Sequence, residues 1–263
     1  MNILVTNDDG IHAPGLDALA RAARRFGNVS VVAPVHEQSG VGHGVTLLQP
    51  LRAVPVHRNG GLFGHAVSGT PADCVKLVLT SSICPRPDLI FSGVNFGRNT
   101  GIHILYSGTV AAAIEGAILG VPSVAISVDF SAHPRFDEAA AIACEVIKPY
   151  VRRVREAQEV PQALNVNVPA LPRGRIRGAR VTAQCGMAYA ENMERRLDPR
   201  GRHYYWLTGG DDTVEVEAES DLATLRQRFV TVTPLHFDMT DRRWLERLTP
   251  GDLGPIAESS AEE

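Results

Sequence analysis

The chain has 263 residues, with 26 Lys and Arg against 29 Asp and Glu, for a formal net charge of −3. That length supports a sizeable buried core, and the small acidic excess excludes a surface built to coat a nucleic-acid polymer. The four cysteines (Cys74, Cys84, Cys144, Cys185) lie far apart without a C-x-x-C pair, which excludes the usual zinc and secreted-disulfide frameworks.

Strand-like sequence begins at once, with Ile3 to Thr6 and no basic leader or cleavage site before it. No later apolar run is long enough to cross a bilayer, so a soluble cytoplasmic protein without membrane contact is expected. After Pro14 and Gly15, Leu16, Leu19, Ala20 and Ala23 recur at helical spacing, with Gly27 placed as a left-handed C-cap. Val29 to Ala33 reads as a strand stopped by Pro34, and Gly40 to Gly44 as a loop. Thr70-Pro71-Ala72-Asp73 carries a hydroxyl cap, a proline at the first helical position and an acid at the third, which predicts a helix start. A strand over Asp88 to Ser92, a helix over Ser107 to Leu119 and a strand over Ser123 to Val128 continue the rhythm. A helix follows from Asp137, ended or kinked near Lys148 by Pro149, and then a strand over Leu164 to Val168. Alternating strands and helices of this kind wind a mainly parallel α/β sheet.

Beyond Pro169 the pattern changes to separated strands, Val181 to Ala183, Val214 to Glu217 and Phe229 to Thr233, with charged connections that suit hairpins or an oligomerisation extension. The polar stretch Met187 to Asp212 holds Tyr189, Tyr204, Tyr205 and Trp206, whose expected use is packing or an interface rather than base binding. Glu215 and Glu217 alternate with valines as the solvent face of an edge strand would. The division expected is a catalytic core over 1–169, an extension over 170–253 within the same compact unit, and a disordered tail over 254–263.

In such a sheet all parallel strands end at one edge, where ligands bind. The first strand ends in Asn7-Asp8-Asp9-Gly10, the second leads to Gln38-Ser39-Gly40, and the third predicted strand leads to Ser92-Gly93-Val94-Asn95. Two adjacent aspartates at close range favour a compensating cation, and the neighbouring donors are a hydroxyl and an amide oxygen. An all-oxygen set of Asp8, Asp9, Ser39 and Asn95 suits one Mg²⁺ or Mn²⁺ ion better than Zn²⁺. The plainer alternative has Asp8 capping the first helix and Asp9 in a solvated turn. Ser107-Gly108-Thr109, ahead of a helix expected to begin near Val110, offers donors to a phosphate, as do Gly40 and Asn99; simple helix capping and a long turn are the alternatives. His12, His36, His43 and His103 fall near the expected site, but none has metal-ligand spacing with another.

At these residues the chain resembles the survival protein E family, SurE. The matching stretches are Ile3 to Gly15, Val31 to Pro34 with Glu37 to Gly40, Ser68 to Leu77, Pro87 to Gly101, Tyr106 to Gly116 and Val232 to Leu235. The resemblance implies a Rossmann-like three-layer α/β/α fold and a homodimer or homotetramer built partly through the C-terminal extension. It also implies metal-dependent hydrolysis of nucleoside 5′- and 3′-monophosphates, with the metal on Asp8, Asp9, Ser39 and Asn95. Two positions depart from the family pattern: His103 stands where an acidic residue is common, and Gln38 where an arginine is.

The expected reaction is attack on a phosphomonoester by a metal-activated water, with Asp8 or Asp9 orienting that water. Rival readings are a phosphatase using an aspartate as nucleophile and a metal-dependent deacetylase, which would add histidine ligands. Dinucleotide redox chemistry lacks its G-x-G-x-x-G turn. A nucleotide sensor that binds without turnover is the non-enzymatic alternative.

Overall fold

The structure, a computed structural model, describes residues 1–186, 192–208 and 216–253. In chain order the first elements are β1 (Asn2–Thr6), α1 (Pro14–Ala23), β2 (Asn28–Pro34), β3 (Ala53–Arg58), β4 (Gly61–Val67), α2 (Pro71–Thr80) and β5 (Leu89–Phe96). A 3-10 turn (Gly101–Leu105) leads to α3 (Gly108–Ile118), β6 (Ser123–Val128), α4 (Phe136–Val146), α5 (Lys148–Arg155) and β7 (Ala163–Val168). Then come β8 (Ala179–Val181), β9 (Asn192–Leu197), β10 (His203–Thr208), α6 (Asp221–Arg226), β11 (Val230–Leu235) and α7 (Arg242–Leu245).

The main sheet has nine strands in the order β3-β4-β2-β1-β5-β6-β7-β11-β8. From β4 to β7 the strands run parallel, while β3 is antiparallel to β4 and β11 to β7. Winding proceeds one way through β1, β2 and β4, and the other way through β5, β6 and β7. The sheet edge therefore opens between β1 and β5, where the first aspartates emerge.

Alternation along the strands sorts side chains between two layers. Ile3, Val5 and Phe91 face α1, α4 and α5, packing with Leu16, Leu19, Ala140, Cys144 and Val151. Leu4 and Ile90 face the other way, toward Cys74, Val75 and Val78 of α2 and Ala112 of α3. Each fully buried Leu, Ile or Val contributes roughly 1.5–3 kcal/mol relative to exposure, so this two-sided burial is what fixes the register of β1 and β5. The result is the expected three-layer α/β/α arrangement with a separate antiparallel hairpin of β9 and β10.

Several expectations change. Gly27 is not a left-handed cap: a Cβ there would lie 2.0 Å from the Met1 carbonyl oxygen, so glycine is needed for close approach. The helix expected near Val110 begins two residues earlier, at Gly108. Pro149 does divide the long helical segment, into α4 and α5. The β3–β4 hairpin went unread, as did β9, which lies inside the stretch taken as polar connection. Of the strands expected beyond Pro169, Val181 to Ala183 shares only Val181 with β8, and β8 and β11 pair parallel inside the main sheet rather than as a hairpin. Tyr189, Val214, Glu215 and the tail 254–263 lie outside the described residues; Val216 and Glu217, the other half of the predicted strand Val214 to Glu217, belong to no strand. Among the described residues no helix is long and apolar enough to cross a membrane, and all four cysteines are free.

Candidate active site

The Asn7-Asp8-Asp9-Gly10 turn is stapled locally. The Asn7 side chain donates to the Gly10 carbonyl at 3.1 Å and accepts the Gly10 N–H at 3.2 Å, while Gly10 takes φ 97°, a conformation that favours glycine. This turn presents the two aspartates at the end of β1. Asp8 is 4% exposed and does not cap α1, whose N-cap is Ala13 without a side-chain hydrogen bond. Instead it receives the first turn of α3: the Thr109 N–H donates to Oδ2 at 3.0 Å, and the Thr109 hydroxyl donates to Oδ1. Gly108 makes the approach possible, since a Cβ there would stand 2.8 Å from Asp8 Cβ. Burial pushes the Asp8 carboxyl up, against the two Thr109 hydrogen bonds that pull it down.

Asp9 accepts a hydrogen bond from the Phe96 N–H at the end of β5, which ties it to the strand end carrying Asn95. Its pKa is pushed up to about 7, by burial first and then by the charges of Asp8 and Glu37. Asn95 turns its amide N–H to the Gly97 carbonyl at 2.7 Å, leaving its oxygen as the side chain's acceptor. The loop after β2 joins through backbone: the Gln38 N–H donates to the Asp8 carbonyl at 2.7 Å. Ser39, exposed, donates its hydroxyl to Glu37 Oε1 at 2.6 Å. Thus the ends of β1, β2 and β5 meet, with Asp8 and Asp9 on the turn after β1, Ser39 on the loop after β2 and Asn95 near the end of strand β5.

Among the described residues no three His, Cys, Asp or Glu side chains are grouped to hold a metal. Any ion here would take two carboxylates and two neutral oxygens, a donor set that matches a hard divalent cation. Asp8 and Asp9 are adjacent, largely withdrawn from water and faced by a third carboxylate, Glu37, so the local charge fits a cation.

The residues expected to cradle phosphate divide. Gly40, at φ 72°, sits on the exposed Ser39 loop, and Gly108 at the head of α3 has one of the N–H groups a helix leaves without an intrahelical partner. Thr109 instead directs both its donors to Asp8, and Ser107 Oγ caps the Val110 N–H at 3.1 Å. Asn99 is 6% exposed and points into the fold: its amide donates to Ser127 Oγ at 2.8 Å, and its carbonyl accepts from Asn165 and Asn167 of β7 at 2.7 and 3.0 Å. Asn99 therefore anchors its loop, with one of its two amide N–H groups spent on Ser127. The next fixed point, Gly101, gives its N–H to Asp221 at 2.9 Å and takes a hydrogen bond from Gln184 at 2.9 Å.

Sequence reading passed over two supports. Glu115, 3% exposed on α3, binds His43 Nε2 at 2.8 Å and the Lys76 ammonium. Asp73 accepts the Thr46 N–H at 3.0 Å and the Thr46 hydroxyl at 2.6 Å. Together with the Gly42 N–H on the Tyr106 carbonyl, these straps hold the loop that carries Ser39. Glu37 stood beside Ser39 in the sequence and could have been found by the same sheet-edge rule. Glu115 had no local signal.

A family model described as survival protein SurE matches residues 3–191. Two relatives named 5′-nucleotidase SurE, from Syntrophobacter fumaroxidans and Rhodopirellula baltica, are each 45% identical to this chain. The first alignment covers 96% of this chain and the second 97%, and both cover 100% of the relative. The crystal structure of the SurE protein from Aquifex aeolicus superposes with a TM-score of 0.80 at 37% identity, covering 94% of this chain and 98% of that one. The family model over residues 3–191 and the agreement of sequence and fold over nearly the whole length mean that the chain belongs to the SurE family.

Proposed function

We propose that the chain is a divalent-metal-dependent 5′-nucleotidase, a phosphomonoesterase that releases phosphate from nucleoside 5′-monophosphates and also from 3′-monophosphates. The observation that carries this reading is the pair of withdrawn carboxylates, Asp8 and Asp9, at the strand crevice against the first turn of α3. The names of the relatives independently support its 5′-nucleotidase part.

Asp8, Asp9, Ser39 and Asn95 would hold one Mg²⁺ or Mn²⁺ ion. When bound, such an ion polarises a phosphate oxygen and lowers the pKa of a water. The remaining work belongs to the chain. Thr109 fixes the orientation of Asp8. Asp9 accepts the Phe96 N–H and keeps acceptor capacity with which to orient the attacking water. The Gly40 N–H and the first-turn N–H of Gly108 supply donors, and α3 its positive end, for the charge that develops on phosphate.

The test is phosphate release from ribo- and deoxyribonucleoside 5′- and 3′-monophosphates by EDTA-stripped protein, with Mg²⁺, Mn²⁺, Co²⁺, Zn²⁺ or no metal restored. Metal-dependent release from several nucleotides is the expected result, and Asp9→Ala should abolish it while the protein stays folded. Tight nucleotide binding without release would favour the sensor; full activity in Asp9→Ala would remove the site assignment.

A homodimer or homotetramer in the cytoplasm completes the reading. Its support is the exposed apolar surface of the β9–β10 hairpin (Met193, Tyr205, Trp206) and of the segment after β11 (Met239, Trp244, Leu253), together with four free cysteines. Light scattering of the purified protein tests the assembly, and a monomer at micromolar concentration would refute it.

A further inference from the structure

A cavity of about 300 Å³ opens at the ends of β2 and β4, between His36, Gln38 and Thr46 on one side and the turn Ser68-Gly69-Thr70 on the other. Two connections join it to the carboxylates. Gln38 donates its N–H to the Asp8 carbonyl, and Ser39 follows directly. Thr70 caps α2, whose Pro71 ring lies against Gly108, which in turn packs on Asp8. Gln38 on the cavity wall is the residue before Ser39, so the cavity adjoins the loop that would meet a phosphate ester at Ser39. The larger cavity, about 860 Å³, touches the Ser39 loop at His43 and is otherwise walled by the 3-10 turn, α3 and residues 182–184 and 233–239.

The hydrogen-bonding capacity of the smaller cavity is unevenly spent. The Thr46 hydroxyl donates to Asp73 and the Thr70 hydroxyl to the Gly44 carbonyl. Ser68 Oγ accepts the Arg52 N–H at 2.9 Å and keeps its own proton to donate. The side chains of His36 and Gln38 have no hydrogen-bond partner among the described residues. An amide presents a donor and an acceptor on one plane and can reverse them, so it can meet the edge of any base; an imidazole adds a flat face for stacking. The volume is at the lower end of small-molecule sites, suited to one nucleoside.

We propose that this cavity is the nucleoside subsite, with His36 and Gln38 on the base and Ser68 on a ribose hydroxyl. The proposal rests on the nucleotidase reading and deepens it: recognition through a reversible amide gives activity across several bases with shallow preference among them.

The experiment compares wild type, the double variant His36→Ala/Gln38→Ala, and Gln38→Glu. Substrates are the 5′-monophosphates of adenosine, guanosine, cytidine and uridine, and p-nitrophenyl phosphate, whose ring has no base edge. In the double variant the ratio of nucleotide kcat/KM to p-nitrophenyl phosphate kcat/KM should fall about tenfold, mostly through KM. Gln38→Glu, which keeps the shape but loses the donor, should re-rank the four bases. An unchanged ratio with an unchanged ranking overturns the subsite and leaves the nucleotidase standing. A wild type that cleaves p-nitrophenyl phosphate but no nucleotide overturns the nucleotidase, and the subsite with it.

Discussion

Two helices start at the same edge of the sheet and use their first turns in opposite ways. The start of α2 closes on itself and on the Ser39 loop, its carboxylate meeting neutral groups: Asp73 Oδ2 accepts the Thr70 N–H at 2.9 Å, Thr70 Oγ1 accepts the Asp73 N–H at 3.1 Å, and Asp73 also holds Thr46. The start of α3 has a cap of its own in Ser107, yet directs both donors of Thr109 outward to Asp8 on a different strand. Both begin with a hydroxyl residue, and both read as helix starts in the sequence. Three residues are enough to recognise a cap, but where the next donor points depends on what the sheet places opposite it.

If the contrast is real, changes at α3 strike activity and changes at α2 strike stability. The largest effect should come from Thr109→Val, which removes the hydroxyl from a buried carboxylate: kcat/KM for phosphate release should fall about 100-fold. Activity within about threefold of wild type would break the contrast. Gly108→Ala should come next, because its Cβ has no room beside Asp8; a loss of about tenfold in kcat/KM with about 1–3 kcal/mol of stability is expected, read by assay and urea titration. Asp73→Ala should invert the pattern. Losing the capping box and the Thr46 strap is expected to cost about 1–2 kcal/mol in urea unfolding, with a smaller loss of kcat/KM than Gly108→Ala gives. A large activity loss at unchanged stability would erase the distinction.

The smallest effect concerns acid. Glu115 is held below the ordinary glutamate range, by His43 first and by Lys76, against the opposing effect of burial. A carboxyl with a depressed native pKa adds stability that is full above its unfolded value, near 4.5, and is lost as pH falls through the lower native value. Urea midpoints measured downward from about pH 6 should therefore drop more steeply below pH 4.5 in wild type than in Glu115→Gln. Parallel slopes would show that the α3 ion pairs add nothing to the acid limb.

The parallel half of the fold was legible because its signals are local. Hydrophobic runs marked the strands, and the rule that parallel strands end at one edge brought Asp8, Asp9, Ser39 and Asn95 together before any coordinates. One local signal was passed over: Asn59 and Gly60, at φ 49° and 79°, make the tight turn that joins β3 to β4, in an Asn-Gly pair that favours such hairpins. Pro55 within β3 obscured it by weakening the strand pattern, and β3 is indeed an edge strand. In β9, Asn192–Leu197, the residues do not alternate apolar with polar, because all six are exposed and nothing selects for the pattern. The anchoring role of Asn99 was hidden for another reason. A Gly- and Asn-rich loop looks ready for an anion, but its partners Ser127, Asn165 and Asn167 lie 28 to 68 residues away and cannot be inferred from spacing. Glu115 was invisible for the same reason, with partners 39 and 72 residues distant.

The tethering of Gly101 bears on synthesis. Asp8, Asp9, Ser39 and Asn95 all leave the ribosome in the first half of the chain, but the hydrogen bonds that hold the loop after β5 come from Asn165 and Asn167, then Gln184, and last from Asp221. The loop beside the potential metal ligands can therefore be secured only after Asp221 has been made, long after the ligands themselves.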